Sequence, residues 1–278
     1  MPNIQPFIRW AGGKSWLIPY LKEIIGNLDY RNYYEPFLGG GAIFFALDPK
    51  HNSYLSDLNL ELIKTYITIR DNPNEVINIL QNYANTESEY YRIRALEPNN
   101  NIEQTARFLY LNQTSYNGLY RVNKQGKYNV PYGFRDNWNY DYERLYLASK
   151  KLQRIRLNCE DFAARKYRIV ARDLVFLDPP YTVSHNNNGF IEYNKDLFSF
   201  DDQKRLSKYI DYIKRKGAYY ILTNAAHKSI REIFSKDGDR LIPLDRNSLI
   251  GGKNAKRELI TEYIFTNILE GDQVDEQD

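Results

Sequence analysis

The sequence predicts an α/β fold in which a parallel sheet is interrupted by a helical insertion. Three observations carry that prediction. An aromatic strand, NYYEPF, runs directly into Gly39-Gly40-Gly41 and then into the helical stretch AIFFALD; strand, glycine loop and helix in that order open a βαβ unit. The βα rhythm stops after Asp57 and gives way to helical periodicity and loops over residues 58–147. It returns beyond Arg144, where the apolar run LVFL ends in Asp178-Pro179-Pro180-Tyr181, a buried strand closed by a stiff turn.

Taken in order, SWLIPYLKEIIG reads as a helix with Gly26 as its stop. NYYEPF, AIFFALD and NSYLSD follow as strand, helix and strand, the last ending at Asp57. LELIKTYITIRD is a helix that stops before Pro73, and NEVINILQNYA and TARFLYLNQT are further helices of the insertion. ERLYLASKKLQ, IRLNC and DLVFL then read as helix, strand and buried strand. Ser199, three residues ahead of Asp202, predicts a capping box opening DDQKRLSKYIDYIKRK, which closes at Gly217 before the strand AYYILTN. The expected layout is a sheet domain of residues 1–57 and 148–268, an insertion of residues 58–147, and an acidic, polar tail of residues 269–278 without fixed structure.

Composition narrows the class. A chain of 278 residues buries a full core without disulfides, and its single cysteine, Cys159, excludes a disulfide framework and a Cys-rich zinc site. No metal is expected. Cys159 itself reads as a small core residue. No signal-peptide stretch or run of about 18 apolar residues occurs, so a cytoplasmic protein with no membrane contact is expected. The net charge is only +3, but from Asn117 to Arg156 nine Lys or Arg face three acids and are interleaved with Tyr116, Tyr120, Tyr128, Tyr132, Trp138 and Tyr140. That mixture suits a phosphate-contacting surface, although a solvated basic face would look the same. No dimer seam is visible, and a monomer is expected.

The strongest motif is Asp178-Pro179-Pro180-Tyr181, because ligands of open α/β sheets bind at the carboxyl ends of strands. Two prolines fix φ and remove two donors, so the turn offers a carboxylate and a carbonyl as acceptors. Such a pair can hold both N–H bonds of an exocyclic amine, free its lone pair from the ring and aim it at a sulfonium methyl, a catalysis of positioning without a covalent intermediate. Tyr181 supplies a flat face for an extruded base. The loop Glu35-Pro36-Phe37-Leu38-Gly39-Gly40-Gly41 lets a ligand approach backbone closely, and Asp57, at the end of the next strand, stands where such folds bond a ribose. Contiguous glycines are not the G-x-G-x-x-G of a dinucleotide site. In Phe7-Ile8-Arg9-Trp10-Ala11-Gly12-Gly13-Lys14-Ser15 the Gly-Lys-Ser end suggests a phosphate loop, but Ile8 stands where its first glycine belongs.

With FIRWAGGK, YYEPFLGGG, SD, YNGLYR…NVPYG and LDPPY in that order, the chain resembles the Dam-type (class alpha, GATC-like) DNA N6-adenine methyltransferases over nearly its whole length. The resemblance implies a Rossmann-like S-adenosylmethionine-dependent methyltransferase sheet with an inserted helical target-recognition domain. It implies that Trp10 and Lys14 contact S-adenosylmethionine, that Phe37 and Gly39 line its methionine, that Asp57 takes the ribose hydroxyls, and that Asp161 and Phe162 hold its adenine. Asp178 would border the cofactor and, with Pro179, Pro180 and Tyr181, form the catalytic turn. In the target-reading hairpin, Tyr116 would wedge into double-stranded DNA, Asn117 meet the orphaned partner base and Arg121 read a guanine, with Leu119 and Pro131 in the same hairpin and Arg9 as a further guanine contact. The implied site is GATC, in a bacterial or phage enzyme at the nucleoid. Lys253, Lys256 and Arg257 resemble a basic loop that approaches phosphates, or a polar hairpin turn. N4-cytosine transfer and a non-catalytic DNA-binding relative are the alternatives; C5-cytosine chemistry lacks a cysteine in a Pro-Cys turn.

Overall fold

The computed structural model describes residues 4–134, 140–182, 198–247 and 259–272. Its seven strands, β1 (Tyr33–Glu35), β2 (Ser53–Asp57), β3 (Arg156–Cys159), β4 (Leu174–Leu177), β5 (Tyr219–Ala225), β6 (Arg240–Asn247) and β7 (Leu259–Thr266), follow the order β3-β2-β1-β4-β5-β7-β6. Among the described residues, five α-helices separate β2 from β3 along the chain: α3 (Leu60–Asp71), α4 (Pro73–Leu80), α5 (Glu87–Ala95), α6 (Asn101–Thr114) and α7 (Tyr142–Leu152). The α/β sheet with a helical insertion is therefore the observed architecture.

The chain forms two compact units, Met1–Tyr20 with Leu38–Glu160, and Leu21–Phe37 with Asp161–Asp278. In the first, β2 and β3 pair in parallel, and α2 (Ala42–Leu47) follows the glycine loop. Asn59 caps α3 by accepting the Leu62 N–H at 3.0 Å, so the strand-to-helix turn after Asp57 is short and fixed. Pro73 begins α4 as well as ending α3, its missing N–H being one that a helix start leaves unpaired anyway. In the second unit, β1, β4 and β5 are parallel, whereas β7 runs antiparallel to β5 and β6 antiparallel to β7. The strand order reverses at β1 and β4, so the ligand crevice of such a sheet lies at their carboxyl ends, where Phe37 and Asp178 stand.

The helix SWLIPYLKEIIG opens as a 3-10 turn, Ser15–Leu17, and continues as α1 (Ile18–Ile25) up to Gly26 at φ 45°. The predicted capping box on α8 (Phe200–Arg215) is present: Ser199 accepts the Asp202 N–H at 3.1 Å and the Asp202 carboxylate accepts the Ser199 N–H at 2.9 Å. Helix α9 (Lys228–Phe234) and strands β6 and β7 have no counterpart in the sequence reading. Pro243 interrupts the β6 run, and it is tolerated because β6 is the last strand of the order. Helix α5 was equally hidden, since it buries only Tyr90 and Ile93.

Cys159 is exposed rather than a core residue, because it is the last residue of β3, whose burial falls away at both ends. Its thiol is raised above the ordinary range by partial burial and by the Asp57 and Glu160 carboxylates, the opposite of an activated nucleophile. No helix among the described residues is long and apolar enough to cross a membrane. Trp138, residues 185–190, Lys253, Lys256, Arg257 and residues 273–278 lie outside the described residues, while Glu270–Asp272 form a 3-10 turn.

Removing the α8 cap should cost about 1 kcal/mol of stability, since a helix N-terminus loses a side-chain acceptor. Chemical denaturation of Ser199→Ala measures it; a midpoint identical to that of the parent would show that the box carries no weight.

Candidate active site and nucleic-acid interface

In the first unit the glycine loop is tied to the end of β2. Asp57 accepts the Gly39 N–H at 3.0 Å and the Asn59 N–H at 2.9 Å, and Leu38 N–H bonds to Ser56 O at 3.0 Å. Burial raises the Asp57 carboxyl above the usual range, opposed by backbone N–H groups of Asn59, Gly39 and Leu58. Three such donors leave a carboxylate with lone-pair capacity for hydroxyls, the chemistry a ribose presents. Gly39 has φ 49°, and a Cβ there would stand 2.8 Å from the Trp10 ring, so any side chain would expel the indole. Trp10 thus lies against the loop and stacks on Tyr120, with ring centroids 5.4 Å apart. Lys14 is buried and donates to Gly12 O at 3.3 Å.

The segment carrying Arg9 and Trp10 is held by α6. Asn112, 1% exposed, accepts the Arg9 N–H at 2.8 Å and donates to Arg9 O at 2.7 Å, so one side-chain amide pairs both backbone groups of one residue. Gln113 donates to Phe7 O at 3.5 Å. Sequence reading passed over Asn112 because it looks like one polar residue in the helix TARFLYLNQT.

The hairpin predicted from YNGLYR and NVPYG is present. Tyr116 N–H bonds to Pro131 O at 2.9 Å, Gly133 N–H to Thr114 O at 2.8 Å and Asn129 N–H to Arg121 O at 3.1 Å, and Ser115 and Tyr132 form a bridge. Asn117 sits in the left-handed region at φ 55°. A Cβ on Gly118 would stand 2.6 Å from Arg9 Cδ, so the Arg9 side chain lies against the turn that presents Tyr116 and Asn117. Arg9, Tyr116, Asn117, Arg121 and Pro131 are exposed, and Leu119 is half-buried with its carbonyl accepting from Tyr128 at 2.6 Å. The Arg121 guanidinium is aimed by Asn129, which accepts from Nε at 2.8 Å.

In the second unit Phe37 stacks on Phe162, centroids 5.5 Å apart, and meets Phe198 edge-on. Arg205 on α8, unnoticed in the sequence, lies 4.2 Å from the Phe162 ring centroid and donates to both Asp161 oxygens, at 2.9 and 2.8 Å. Asp178 follows β4, and its Oδ1 accepts from Thr223 on β5 at 2.7 Å. The next two residues are Pro179 and Pro180, and Tyr181 donates its hydroxyl to Glu262 on β7. Thr182 donates to Phe198 O at 3.1 Å and accepts from the buried Gln203 at 2.7 Å, which ties the residue after Tyr181 to the start of α8. Thr223, Gln203 and Glu262 come from later elements and carry no motif signal.

The family model described as D12 class N6 adenine-specific DNA methyltransferase matches residues 10–248. The chain belongs to this family. The "Type II methyltransferase M1.LlaDCHI" of Lactococcus lactis subsp. cremoris is 33% identical over 276 residues, covering 95% of this chain and 96% of that protein. The "DNA N-6-adenine-methyltransferase" of Escherichia phage P1 is 32% identical over 86% of this chain and 32% of its own. A "DNA adenine methylase" of Vibrio cholerae is 26% identical over 95% and 96%. As a D12 class enzyme the chain transfers a methyl group from S-adenosylmethionine to N6 of adenine in DNA.

Because, among the described residues, Asn112 pairs both backbone groups of Arg9, Asn112→Ala leaves two partly buried backbone groups without that partner, at about 1–3 kcal/mol each. It is expected to weaken binding of S-adenosylmethionine, measured by calorimetry. Parent-like affinity would show that the segment is held without Asn112.

Proposed function

We propose that this D12 enzyme acts on double-stranded DNA at GATC, turning the target adenine out of the helix before methylating it. The observation that carries this reading is the hairpin in which Arg121, Tyr116 and Asn117 stand exposed, with Arg9 packed against the same turn. Arginine suits bidentate contact with guanine O6 and N7, and a protruding aromatic side chain fills the gap that a flipped base leaves. Asn129 already orients the Arg121 guanidinium, so less side-chain freedom is lost on contact. Residues 58–147 act as the target-recognition domain in this reading, and the enzyme works as a monomer on the cytoplasmic nucleoid.

The residues assigned to the cofactor are Trp10, Lys14, Gly39 and Asp57, together with Phe37, Asp161 and Phe162. The bound cofactor supplies an electrophilic methyl on a sulfonium sulfur. Asp57 orients the ribose through the lone pairs its backbone donors leave over, and the stacked Phe37 and Phe162 offer apolar faces to the methionine and adenine ends. Asp178 and the Pro179 carbonyl accept the two N–H bonds of the target amine, which keeps its lone pair out of the ring; Thr223 fixes the carboxylate's rotation. Tyr181 stacks on the base.

Labelled methyl transfer to unmethylated genomic DNA, with the modified sites sequenced, tests the reading: N6-methyladenine confined to GATC is expected, and N6-methyladenine elsewhere would end the assignment. In the same assay Arg121→Ala should relax discrimination at one G·C pair by about 1–3 kcal/mol. Uniform weakening on every sequence would make Arg121 a phosphate contact.

The Asp57 role has a pH signature. Burial raises its carboxyl, so the charged form that accepts ribose hydroxyls is lost as pH falls through a value above the ordinary carboxylate range. Cofactor affinity should therefore decline on mild acidification, and Asp57→Asn should bind more weakly with that decline flattened. Calorimetric titration at several pH values reads both, and a flat profile for the parent would remove Asp57 from the site.

A further inference from the structure

The catalytic turn is rigid only along its backbone. Pro179 and Pro180 fix φ before Tyr181, but the direction of the Tyr181 ring is set by what its hydroxyl meets. That hydroxyl donates to Glu262 Oε2. Glu262 is 1% exposed, and its other oxygen accepts from Arg246 Nε on β6 at 2.5 Å. Tyrosine, glutamate and arginine thus form a chain from the turn across β7 to β6.

A buried ion pair contributes little to stability compared with apolar residues of the same size, because both charges lose their water. Holding β6 to β7 does not require one. A carboxylate does what an apolar side chain cannot, which is to fix a phenol in one direction. The Tyr181 hydroxyl is held protonated, well above the ordinary phenol range, by burial first and then by the Glu262 and Asp178 carboxylates, so it remains a donor.

We propose that Glu262, backed by Arg246, is a positioning residue for methyl transfer, holding the Tyr181 ring in the orientation in which its face receives the target base beside Asp178. The proposal rests on the reading of Tyr181 as the stacking face.

The test is steady-state kinetics of the full chain on duplex DNA carrying one target adenine, alongside a second duplex in which 2-aminopurine, which has no N6 amine to methylate, replaces that adenine and reports base stacking by its fluorescence. Tyr181→Phe keeps the ring and removes only the oxygen; Glu262→Gln removes the charge. Each should lower kcat roughly tenfold to a hundredfold while KM for S-adenosylmethionine stays unchanged, because the reacting geometry is lost and the cofactor is still held. The double variant should lose no more than either single one, since both break the same bond. Losses that multiply would overturn the proposal. If Glu262→Gln lowers the melting temperature, Tyr181→Phe decides, and parent-like kcat in that variant would overturn it. Tyr181→Leu separates the two readings: full activity there removes the stacking role itself, whereas a crippled Tyr181→Leu beside active Tyr181→Phe and Glu262→Gln removes only the positioning role.

Discussion

Residues 4–14 form no strand and no helix, yet they carry Arg9, Trp10 and Lys14. Such a segment must find partners for its backbone elsewhere, since an unpaired buried peptide group costs as much as a lost hydrogen bond. Asn112 provides them, pairing with both the N–H and the carbonyl of Arg9 as a neighbouring strand would. With the Arg9 backbone pinned, its side chain turns to the Tyr116–Gly118 turn, and the next residue, Trp10, turns to the glycine loop. One amide therefore relates the segment assigned to cofactor contact to the hairpin assigned to base reading.

Close approach explains the glycines on either side of this segment. At Gly39 a Cβ would meet the Trp10 indole, and at Gly118 it would meet the Arg9 side chain. Both have positive φ, so a substitution would be strained in backbone and in space. Trp10 is further enclosed by Tyr120, whose hydroxyl donates to Glu61 at 2.8 Å, and Phe7 packs edge-on against Tyr66. Aromatic abundance, which decided little as composition, thus has a definite use: flat rings with a polar tip fill narrow spaces and still satisfy their hydroxyls.

The second unit applies a different constraint to the turn proposed as catalytic. Its rigidity begins with two prolines, but each side chain proposed to do chemistry is fixed by a neighbour from a later element: Asp178 by Thr223, Tyr181 by Glu262, and the outgoing chain by Gln203 through Thr182. Positioning catalysis needs this support, since an amine gains reactivity only if its acceptors hold still. Phe37 and Phe162 are likewise stacked in place, with the Arg205 guanidinium over the outer ring and clasping Asp161.

The sequence by itself determined the α/β class, the buried strand that ends at Asp178, the interruption by helices and the capping box at Ser199, because each is written in local periodicity or in adjacent residues. The hairpin was legible only through the family resemblance carried by YNGLYR and NVPYG; its own turn, at Asn123–Lys127, was not read. Strands β6 and β7, helix α5 and the exposure of Cys159 were not legible: a proline on an outer strand, two buried residues in nine and a strand-end cysteine leave no clear period. Only the tertiary structure decided which side chains support the functional ones. Asn112 stands 103 residues from Arg9, Thr223 stands 45 from Asp178 and Glu262 stands 81 from Tyr181. Hydrogen bonds across such separations depend on how strands and helices pack, and a polar residue inside an otherwise ordinary strand or helix carries no local sign of the partner it will meet.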